Sequence, residues 1–389
     1  MRASGPQFRI FFEGKNITTE ITQSLISVRY LDRMYNETDD LQIVVHDADG
    51  LWSNEWYPEK GSKLKLQMGY EDLLIDCGTF EIDEIQYTGV PSVMTIKSLA
   101  TWVTSGMRTV RSFASDGLSI KDIAQRIADE HSLKIVGDIF NVRIARSTQY
   151  RETDLAYLNR LGQEYGFAFS VRGTQLIFTS VYDQENYNKN RPVYEIDQTD
   201  MLSFSFRDTT SRIYKTAKVG YDDPKTGEYV LTESDYITNF KKMAAELNYP
   251  PEVTADIIRQ FQKSTIDVTT VFSKTEDQHQ AQLKAQSILH NSNTKQQMGN
   301  IRITGYPLLV AGNNIEVTGV GKMSGVYHIV SSEHTIDWSQ GYITTVEVKR
   351  IGFLDKARNK PKKAKLKTKN YVVINETTVG GQNVVTIPK

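Results

Sequence analysis

Three titratable side chains late in the sequence have the types needed for acid–base chemistry. Glu333 and His334 are adjacent and Asp337 follows, an arrangement that would supply a base and an orienting acid. No G-x-S-x-G motif accompanies them, and no cysteine lies near a histidine, so the sequence offers no nucleophile. The alternative interpretation is that His334 forms a structural hydrogen bond at a strand edge.

Glu81 and Asp83 have the residue types of a glycosidase carboxylate pair. They are two residues apart, so on a β-strand they would share one face. Solvated or interface carboxylates explain the same pattern, and we favour that interpretation. A cell-wall hydrolase hypothesis would therefore depend on Glu81, Asp83 and the Glu333–His334–Asp337 group.

Motifs for phosphates and ions are incomplete in this chain. Residues 319–323 (GVGKM) lack the upstream glycine of a phosphate-binding loop, and Met323 replaces its magnesium-binding hydroxyl. Residues 47–50 (DADG) begin like a calcium loop, but Leu51 stands where a ligand is required. The 6 histidines are scattered, without the spacing of a zinc site. We therefore expect plain turns at both loops and no cofactor or metal.

Composition excludes some broad classes of function. A chain of 389 residues is too long for one compact core, and its formal charge of −1 gives no global field for nucleic acid or anionic lipid. The single cysteine, Cys77, forbids an internal disulfide and fits a reducing site of synthesis. The first residues lack the apolar core of a signal peptide, and no apolar run reaches membrane-spanning length. We expect assembly in the cytoplasm and no membrane insertion.

The elements that must position these side chains are mostly strands. Residues 7–104 alternate apolar and polar residues in short runs separated by turn residues, a pattern typical of a barrel or sandwich. Residues 299–350 show the same strand–turn pattern, with turn chemistry at residues 312–314 and 340–341.

Between these β-rich regions the character changes. Residues 119–131 place isoleucines and an alanine on one helical face, with Asp116 or Ser119 as the N-cap, and a second helix is predicted over about 153–165, ended by Gly166. A hairpin follows at 167–179, which completes an α+β module. Residues 183–192 are expected to form a polar loop.

The region after residue 200 returns to strands and then departs from them. Strands are predicted at 202–207 and 215–221, then helices near 234–247, 253–263 and 275–290 with a strand at 265–272. At the C-terminal end, residues 356–369 are dominated by lysine and arginine, as in a flexible tether, although a nucleic-acid contact is the alternative. A terminal hairpin is expected around Gly380–Gly381.

Residues 60–98 match residues 311–349 in the order of their turns and apolar positions. Gly61-x-x-Leu64-x-Leu66 matches Gly312-x-x-Ile315-x-Val317, and Gly78 with its following strand matches Gly325 with its own. More loosely, residues 43–47 resemble 218–222. Any two hairpins share such features, but here the registers and turn positions agree together, so we expect a duplicated domain.

Two stretches resemble a known family. Residues 152–171 (ETDLAYLNRLGQEYGFAFSV) are similar to the E-[ST]-D-L-x-[FY]-L-x-R-L-x-x-E-x-G segment of phage late control gene D proteins. Residues 305–319 and 324–350 resemble the G-x-P-x-L-x-x-G and G-x-Y-x-[IV]-x-x-x-x-H pattern of the same family. These are hub proteins of contractile phage tails, related to the base of the type VI secretion spike. The resemblance covers roughly residues 5–352.

This resemblance implies a fold and an assembly. Members have two tube-type β-barrel domains in each chain, and three chains form a ring, so six similar units would surround a channel. A hexameric tail tube would stack on one face and a trimeric spike on the other. The implied partners are further copies of the chain, the tail tube protein, the spike or needle protein, and tape measure and baseplate wedge proteins. DNA would be only in transit, and the virion baseplate would be the location.

We therefore expect a mainly β chain with α+β parts, in which two duplicated tube-type barrels flank an α+β module and the second barrel carries a partly helical insertion. The expected divisions are 1–104 (barrel I), 105–196 (module), 197–222 with 297–352 (barrel II), 223–296 (insertion) and 353–389 (basic linker and β-prone tail). No residue is expected to be catalytic. The residues singled out are structural: the turn glycines Gly61, Gly78, Gly312 and Gly325, and Asp154 and Arg160 in the second helix of the module. A cell-wall hydrolase or a peptidoglycan-binding tail protein remains the alternative.

Overall fold

The computed structural model of the chain is mainly β, as predicted. It describes residues 5–34, 38–100, 109–137, 142–144, 146–172, 175–181, 193–246, 251–264, 267–273, 275, 277–352, 376–379 and 382–385. The polar loop predicted at 183–192 and the basic segment at 356–369 lie outside these residues.

A first set of strands occupies the N-terminal part of the chain. Its elements are β1 (Pro6–Phe12), β2 (Lys15–Asn16), the short helix α1 (Thr18–Thr22), β3 (Leu25–Arg33), β4 (Asp40–His46), β5 (Lys63–Tyr70), β6 (Leu73–Thr88) and β7 (Val93–Ala100). Buried and accessible residues alternate along β3, β4 and β7, because successive side chains of a strand point to opposite faces. The buried side chains of this set form one apolar core that includes Ile10, Leu41 and Phe80.

A second set of strands is assembled from two separated parts of the chain. It contains β13 (Val193–Asp197), β14 (Met201–Asp208), β18 (Gln297–Thr304), β19 (Asn314–Thr318), β20 (Gly325–Asp337) and β21 (Gly341–Gly352), with its own core around Ile301, Tyr327 and Val346. β13 pairs with β19, so the expected boundary at residue 196 falls inside a strand of this set.

The two sets share one sheet. Its strand order is β14-β18-β21-β20-β3-β4-β7-β6-β5-β1-β2, with β19 beside β20 and β13 beside β19. β3 of the first set and β20 of the second are hydrogen-bonded neighbours, and we call their pairing the joint. The sheet therefore continues from one set into the other.

The module between the sets contains two helices and small sheets. Its elements are β8 (Arg111–Asp116), α2 (Ile120–Glu130), β9 (Lys134–Val136), β10 (Arg146–Glu152), α3 (Asp154–Tyr165), β11 (Phe167–Arg172) and β12 (Gln175–Ser180). Ser119, one of the two predicted N-caps, caps α2 in a capping box with Asp122. Thr153, predicted as the first residue of the second helix, is the N-cap of α3. Gly166 ends α3 in the left-handed conformation with φ 78°.

Asp154 and Arg160 hold this module together. The fully buried carboxylate of Asp154 contacts the guanidinium of Arg111, lies 2.8 Å from Nε2 of His131 and accepts a hydrogen bond from Gln149 at 2.9 Å. These partners come from β8, from the end of α2 and from β10, so one carboxylate joins three elements to the start of α3. Arg160 donates to Glu152 at 2.6 Å and so fastens α3 to β10.

The insertion between β14 and β18 differs from the predicted boundary. β15 (Thr216–Asp222), β16 (Tyr229–Asp235) and β17 (Val268–Phe272) form a separate three-stranded sheet. Residues 216–222 therefore belong to the insertion and not to the second strand set, and the loose match of 218–222 to 43–47 is wrong. The equivalent of β4 by pairing is β18, because β4 lies between β3 and β7 just as β18 lies between β14 and β21.

The helices of the insertion lie close to their predicted positions. They are α4 (Tyr236–Glu246), α5 (Pro251–Ser264) and α6 (Gln278–Asn293). α6 covers one face of the three-stranded sheet through Ala281, Ala285 and Leu289. It also contacts the α+β module, where Lys284 lies 3.1 Å from Glu164 and Ser287 donates to the carbonyl of Gln163 at 2.6 Å.

Near the end of the chain, β22 (Glu376–Val379) pairs with β23 (Gln382–Val385) across residues 380 and 381, where a hairpin is predicted. The strand predicted at 371–374 lies outside the described residues. No helix in the described residues is both long and apolar enough to cross a membrane.

We expect Asp154→Asn to destabilise the α+β module selectively. The exchange leaves Arg111 and Gln149 without the carboxylate they bond, a loss of about 2–3 kcal/mol for hydrogen bonds to a buried charge. Hydrogen exchange followed by mass spectrometry should show faster exchange in α2 and α3 and unchanged protection in β3–β7.

Asp129→Asn is the matched control, because this carboxylate on α2 is exposed and accepts a surface hydrogen bond from Gln125 at 2.7 Å. Equal loss of protection in α2 and α3 for both variants would contradict the structural role of Asp154.

Candidate functional site at the joined sheet

The joint is a continuous antiparallel ladder. Residues 331–337 of β20 pair with residues 27–33 of β3, from Ser331 opposite Arg33 to Asp337 opposite Ser27. On the same side of β20, residues 325–328 pair with β19 and residues 331–337 pair with β3. One long strand thereby belongs to its own set and also holds the other set.

His334 lies on the buried side of the joint and is fully inaccessible. Its Nε2 is 3.2 Å from the carbonyl oxygen of Leu309, and its Nδ1 is 3.0 Å from the hydroxyl of Tyr342 and 3.2 Å from that of Thr344. Burial lowers the pKa of His334 to about 4, so the ring is neutral at pH 7. Since a carbonyl can only accept, Nε2 carries the proton and Nδ1 accepts from a hydroxyl.

The Glu333–His334–Asp337 group proposed for acid–base chemistry is not assembled. Glu333 lies on the opposite face of β20, where its carboxylate is 2.6 Å from Arg29. Asp337 is beside the following turn and accepts from the amide of Ser339 at 2.7 Å. His334 is a structural histidine, as the alternative interpretation states, although it is buried in the joint and not at an open edge.

The accessible face of the joined sheet is polar and carries charges of both signs. At the joint, Arg29 lies 2.6 Å from Glu333 and 3.4 Å from Asp40, and Arg33 lies 2.7 Å from Asp40. Lys97 lies 3.1 Å from Glu84 farther along the sheet. Further charged residues that the strand alternation places on this face include Lys63, Lys65, Glu81, Arg207, Arg302, Glu347 and Lys349.

The strand sets use the same strand order, and five of their six strands pair in the same register. In pairing order, β3-β4-β7-β6-β5-β1 corresponds to β14-β18-β21-β20-β19-β13. Residues at the same place in the two sets are called counterparts below. Leu64 pairs with Phe80 in the first set, as Ile315 pairs with Tyr327 in the second. Likewise, Ile43 pairs with Ile96, as Ile301 pairs with Val346.

Irregularities of the ladders also recur. β6 shifts register between Ile82 and Glu84 and β20 between Ile329 and Ser331, while β3 and β14 shift near their first residues. A bulge inserts one residue and changes the face that the following side chains occupy. Because the bulges match, counterpart residues of the two sets stay on the same face of the sheet. Asp83 sits in the bulge of β6, which breaks the simple alternation expected for Glu81 and Asp83.

Gly61 and Gly312 occupy counterpart turns. The amide of Gly61 donates to the carbonyl of Ile82 at 2.8 Å, and the amide of Gly312 donates to that of Ile329 at 2.9 Å. Their φ values are 87° and 88°, in the left-handed region that favours glycine.

Gly78 and Gly325 begin the second half of each hairpin for different local reasons. Gly78 has φ 102°, whereas a Cβ on Gly325 would lie 2.6 Å from Nε of Arg350 and 2.7 Å from the carbonyl oxygen of Gly352. These four glycines lie in the strand sets, while Asp154 and Arg160 lie in the module. The structure therefore does not bring the six predicted residues into one site.

One group of possible metal ligands lies in the described part of the chain. Glu130, His131 and Asp154 each offer an atom within 4.8 Å of the others. The guanidinium of Arg111 contacts all three, so a cation of the protein itself already occupies the position between them. Of the two loops expected to be plain turns, residues 47–50 form a turn in which Asp47 accepts from the amide of Trp52 at 2.8 Å. In the other loop, Gly321–Met323 form one turn of 3-10 helix.

The profile of one protein family, phage tail baseplate hub (GPD), matches residues 98–340, more than half of the chain. The chain belongs to the phage tail baseplate hub family. The match includes the helix segment 152–171 and most of the second strand set, which are the parts whose motifs resemble the family.

Individual hub relatives are distant in sequence. A probable baseplate hub protein of Escherichia phage P2 is 26% identical over 176 residues, which are 44% of this chain and 45% of that protein. The chain thus matches a little under half the length of this relative. A 43 kDa tail protein of prophage MuSo2 from Shewanella oneidensis shares 13% identity with a TM-score of 0.64, over 89% of this chain and 98% of that one.

The fold also extends to secretion systems. The E. coli c3393 protein, a type VI secretion component described as structurally similar to T4 phage tail proteins, gives a TM-score of 0.51 at 9% identity over 91% of this chain and 79% of that one. At these identities the likeness shows the fold alone.

Sequence reasoning missed the residues that make the joint of this hub chain. Arg29 and Glu333 are 304 residues apart, and nothing in their local patterns links them. Tyr30 stacks on His334 with ring centroids 6.1 Å apart, which is equally invisible in sequence. The length of β20 is a signal that could have revealed the joint. This strand has 13 residues and its neighbour β19 has 5, so part of β20 needs another partner strand.

We expect the hub chain to lose stability as the pH falls from about 6.5 toward 4. Because His334 has a pKa of about 4 when folded and about 6.5 when unfolded, the unfolded chain binds the extra proton in this window. The loss attributable to His334 is on the order of 3 kcal/mol. Urea unfolding at several pH values between 7.5 and 4.5 measures it.

His334→Gln should be less stable at pH 7.5 but should lack this part of the pH dependence. His46→Gln, at an exposed histidine on β4, is the matched control and should retain the wild-type profile. Parallel pH profiles for wild type and His334→Gln would show that another group causes the loss.

Proposed function

We propose that this chain is the structural central hub of a contractile phage tail baseplate or a related injection particle. In this proposal two tube-type barrels per chain and three chains form a ring with near-sixfold symmetry around a channel. The observation that carries it is the repeated strand set: six strands in one pairing order, five of them with matching registers, together with matching bulges and counterpart glycine turns.

Symmetry gives this duplication a physical purpose. A chain with two equivalent units can present six similar edges although only three chains are present. One face could then match a hexameric tail tube and the other a trimeric spike. The two sets are not identical, since β1 pairs antiparallel with β5 whereas β13 pairs parallel with β19, and this difference would distinguish alternate units of the ring.

The polar face of the joined sheet suits the wall of a channel. Arg29 and Arg33 lie beside carboxylates at the joint, and Lys65 and Lys97 lie beside Asp76 and Glu84, so these cations of the wall would be less available to phosphate groups. Phosphate contacts by Lys and Arg dominate the affinity of proteins for DNA. A wall of paired charges would therefore let DNA pass without holding it.

The remaining partners follow from the family resemblance. We place the tail tube protein and the spike or needle protein on the two ring faces, with the tape measure protein in the channel. The α+β module, divided from the joined sheet by its own core, would face the baseplate wedges. The location would be the virion baseplate after assembly in the host cytoplasm.

The role proposed here needs no catalysis and no cofactor. Glu333 and His334 serve the joint from opposite faces, and Asp337 serves a turn. Purified protein should therefore leave peptidoglycan intact and unbound in lysis and pull-down assays. Lytic activity lost in Glu81→Gln or Glu333→Gln would favour the hydrolase instead.

We expect the purified full chain to assemble into trimers. Light scattering at micromolar concentration should give about three times the 44.2 kDa mass of the chain. Negative-stain images should show a three-lobed ring with a central hole. Monomers alone, even with the spike protein added, would overturn the trimeric hub.

A further inference from the structure

The small sheet of the insertion has one covered side and one accessible side. The apolar residues of α6 cover the first side. On the second side the strand alternation places Tyr229, Leu231, Val268 and Phe272, each between 47% and 64% exposed. We call these four side chains the apolar face. Large apolar side chains that are exposed together on one surface mark an interaction site.

Two aromatic rings form much of the apolar face. The ring planes of Tyr229 and Phe272 are 4° from parallel, and their centroids are 6.5 Å apart. Tyr229 extends across β15, where a side chain at Gly220 would collide with its hydroxyl oxygen. Gly220 lies between Leu231 on one neighbouring strand and Phe272 on the other. The glycine therefore lets the two rings and the leucine form one continuous surface.

Acidic residues surround the apolar face. Residues 215–235 and 267–272, which contain the three strands, have six Asp and Glu but only three Lys, a net charge of −3. Asp222, Glu228 and Asp267 are exposed at the ends of the strands. A second copy would bring the same net charge to the contact, so like charges disfavour pairing of two such faces. The apolar face instead suits a segment that has both cations and apolar side chains.

The chain itself contains such a segment after β21. Residues 356–374 include eight Lys and Arg and no Asp or Glu, and they end in the apolar run 371–374 (YVVI). These residues lie outside the described part of the chain. Their sequence combines the positive charge and the apolar side chains that are complementary to the insertion.

β21 ends beside the root of the insertion. Arg350 donates to Oε1 of Gln297 at 2.6 Å, and Gln297 donates to the carboxylate of Asp208 at 2.6 Å, where the insertion begins. From Asp208 to Thr216, the first residue of β15, the chain can span at most about 27 Å, whereas residues 353–370 can span about 60 Å. The segment that follows residue 370 can therefore reach the apolar face of its own chain.

We propose that residues 371–374 pack on the apolar face of the same chain, with the lysines and arginines of residues 356–369 lying against its carboxylates. The tether gives the segment a high local concentration, so a small contact suffices to hold it. Burial of the apolar side chains stabilises the contact, and the charges add an attraction that salt weakens. This inference goes beyond the hub function and does not depend on the ring of copies.

Thiol cross-linking of the full chain tests the contact. Leu231→Cys with Val373→Cys places one thiol on the apolar face and one in the segment, and a short bismaleimide joins them in either orientation of the segment. The product should be a single linked chain, identified by mass spectrometry of the joined peptides. Cys77 is buried and stays in all variants.

Gln278→Cys with Val373→Cys is the matched control. Gln278 is exposed at the start of α6, the helix that covers the opposite side of the same sheet. This pair should link at least about tenfold more slowly than the pair on the apolar face, because only docking raises the local concentration at one side. Equal rates for the two pairs would overturn the docking, since a free segment reaches both sites.

Charge reversal in the segment tests the electrostatic contribution without altering the folded insertion. Lys363→Glu, Lys365→Glu and Lys367→Glu together should slow the link between positions 231 and 373 about tenfold, as expected for the loss of several exposed ion pairs. The three Lys→Arg exchanges at the same positions keep the charge and should leave the rate unchanged. Equal rates for the Glu and Arg variants would overturn the contact with the carboxylates.

The size of the linked product tests which chain supplies the segment. A linked species of one chain supports the proposal, whereas linked dimers would overturn the packing within one chain. Neither result changes the hub proposal, because light scattering measures the trimer separately.

Discussion

The architecture depends on a ladder of backbone hydrogen bonds between β3 and β20. It joins residues 27–33 to residues 331–337 and makes one sheet from two strand sets, each with its own core, although Tyr342 of the second set packs in the first core. Side chains reinforce it differently on its two faces: a neutral, buried His334 on one side, and the Arg29, Glu333 and Asp40 ion pairs on the other. Without the ladder each set would expose an edge and its aromatic residues to water.

Local chemistry made some elements predictable. Ser119 caps a helix because its side chain can accept a hydrogen bond from a backbone amide, and Gly166 ends a helix where a left-handed residue is needed. The register of Gly61 against Gly312 was also readable, since both turns require the same positive φ. These signals lie within a few residues of the element that they define.

Other features depend on contacts that a local pattern does not contain. No strand was predicted at β16, and the helix predicted near 234–247 begins inside it, because the alternation of β16 is inverted: Thr232 and Ser234 are buried while Tyr229 and Leu231 are exposed. Ser234 can be buried because Asn239 and Gln282 donate to its hydroxyl. The burial of His334 likewise depends on Leu309 and Tyr342, which its neighbours in sequence do not reveal. For the hydrolase candidates, the sequence showed suitable residue types but did not show on which face of the sheet each side chain lies.

The long insertion leaves and re-enters the second strand set at adjacent points. Asp208 pairs with Gln297, and the amide of Thr209 donates to the carbonyl of Gln296 at 3.0 Å. A segment whose two ends are hydrogen-bonded neighbours behaves thermodynamically like a hairpin loop, and lengthening such a loop costs little. The insertion can therefore be exchanged, shortened or enlarged while the joined sheet keeps its geometry, which frees this part of the molecule to diverge between hub proteins.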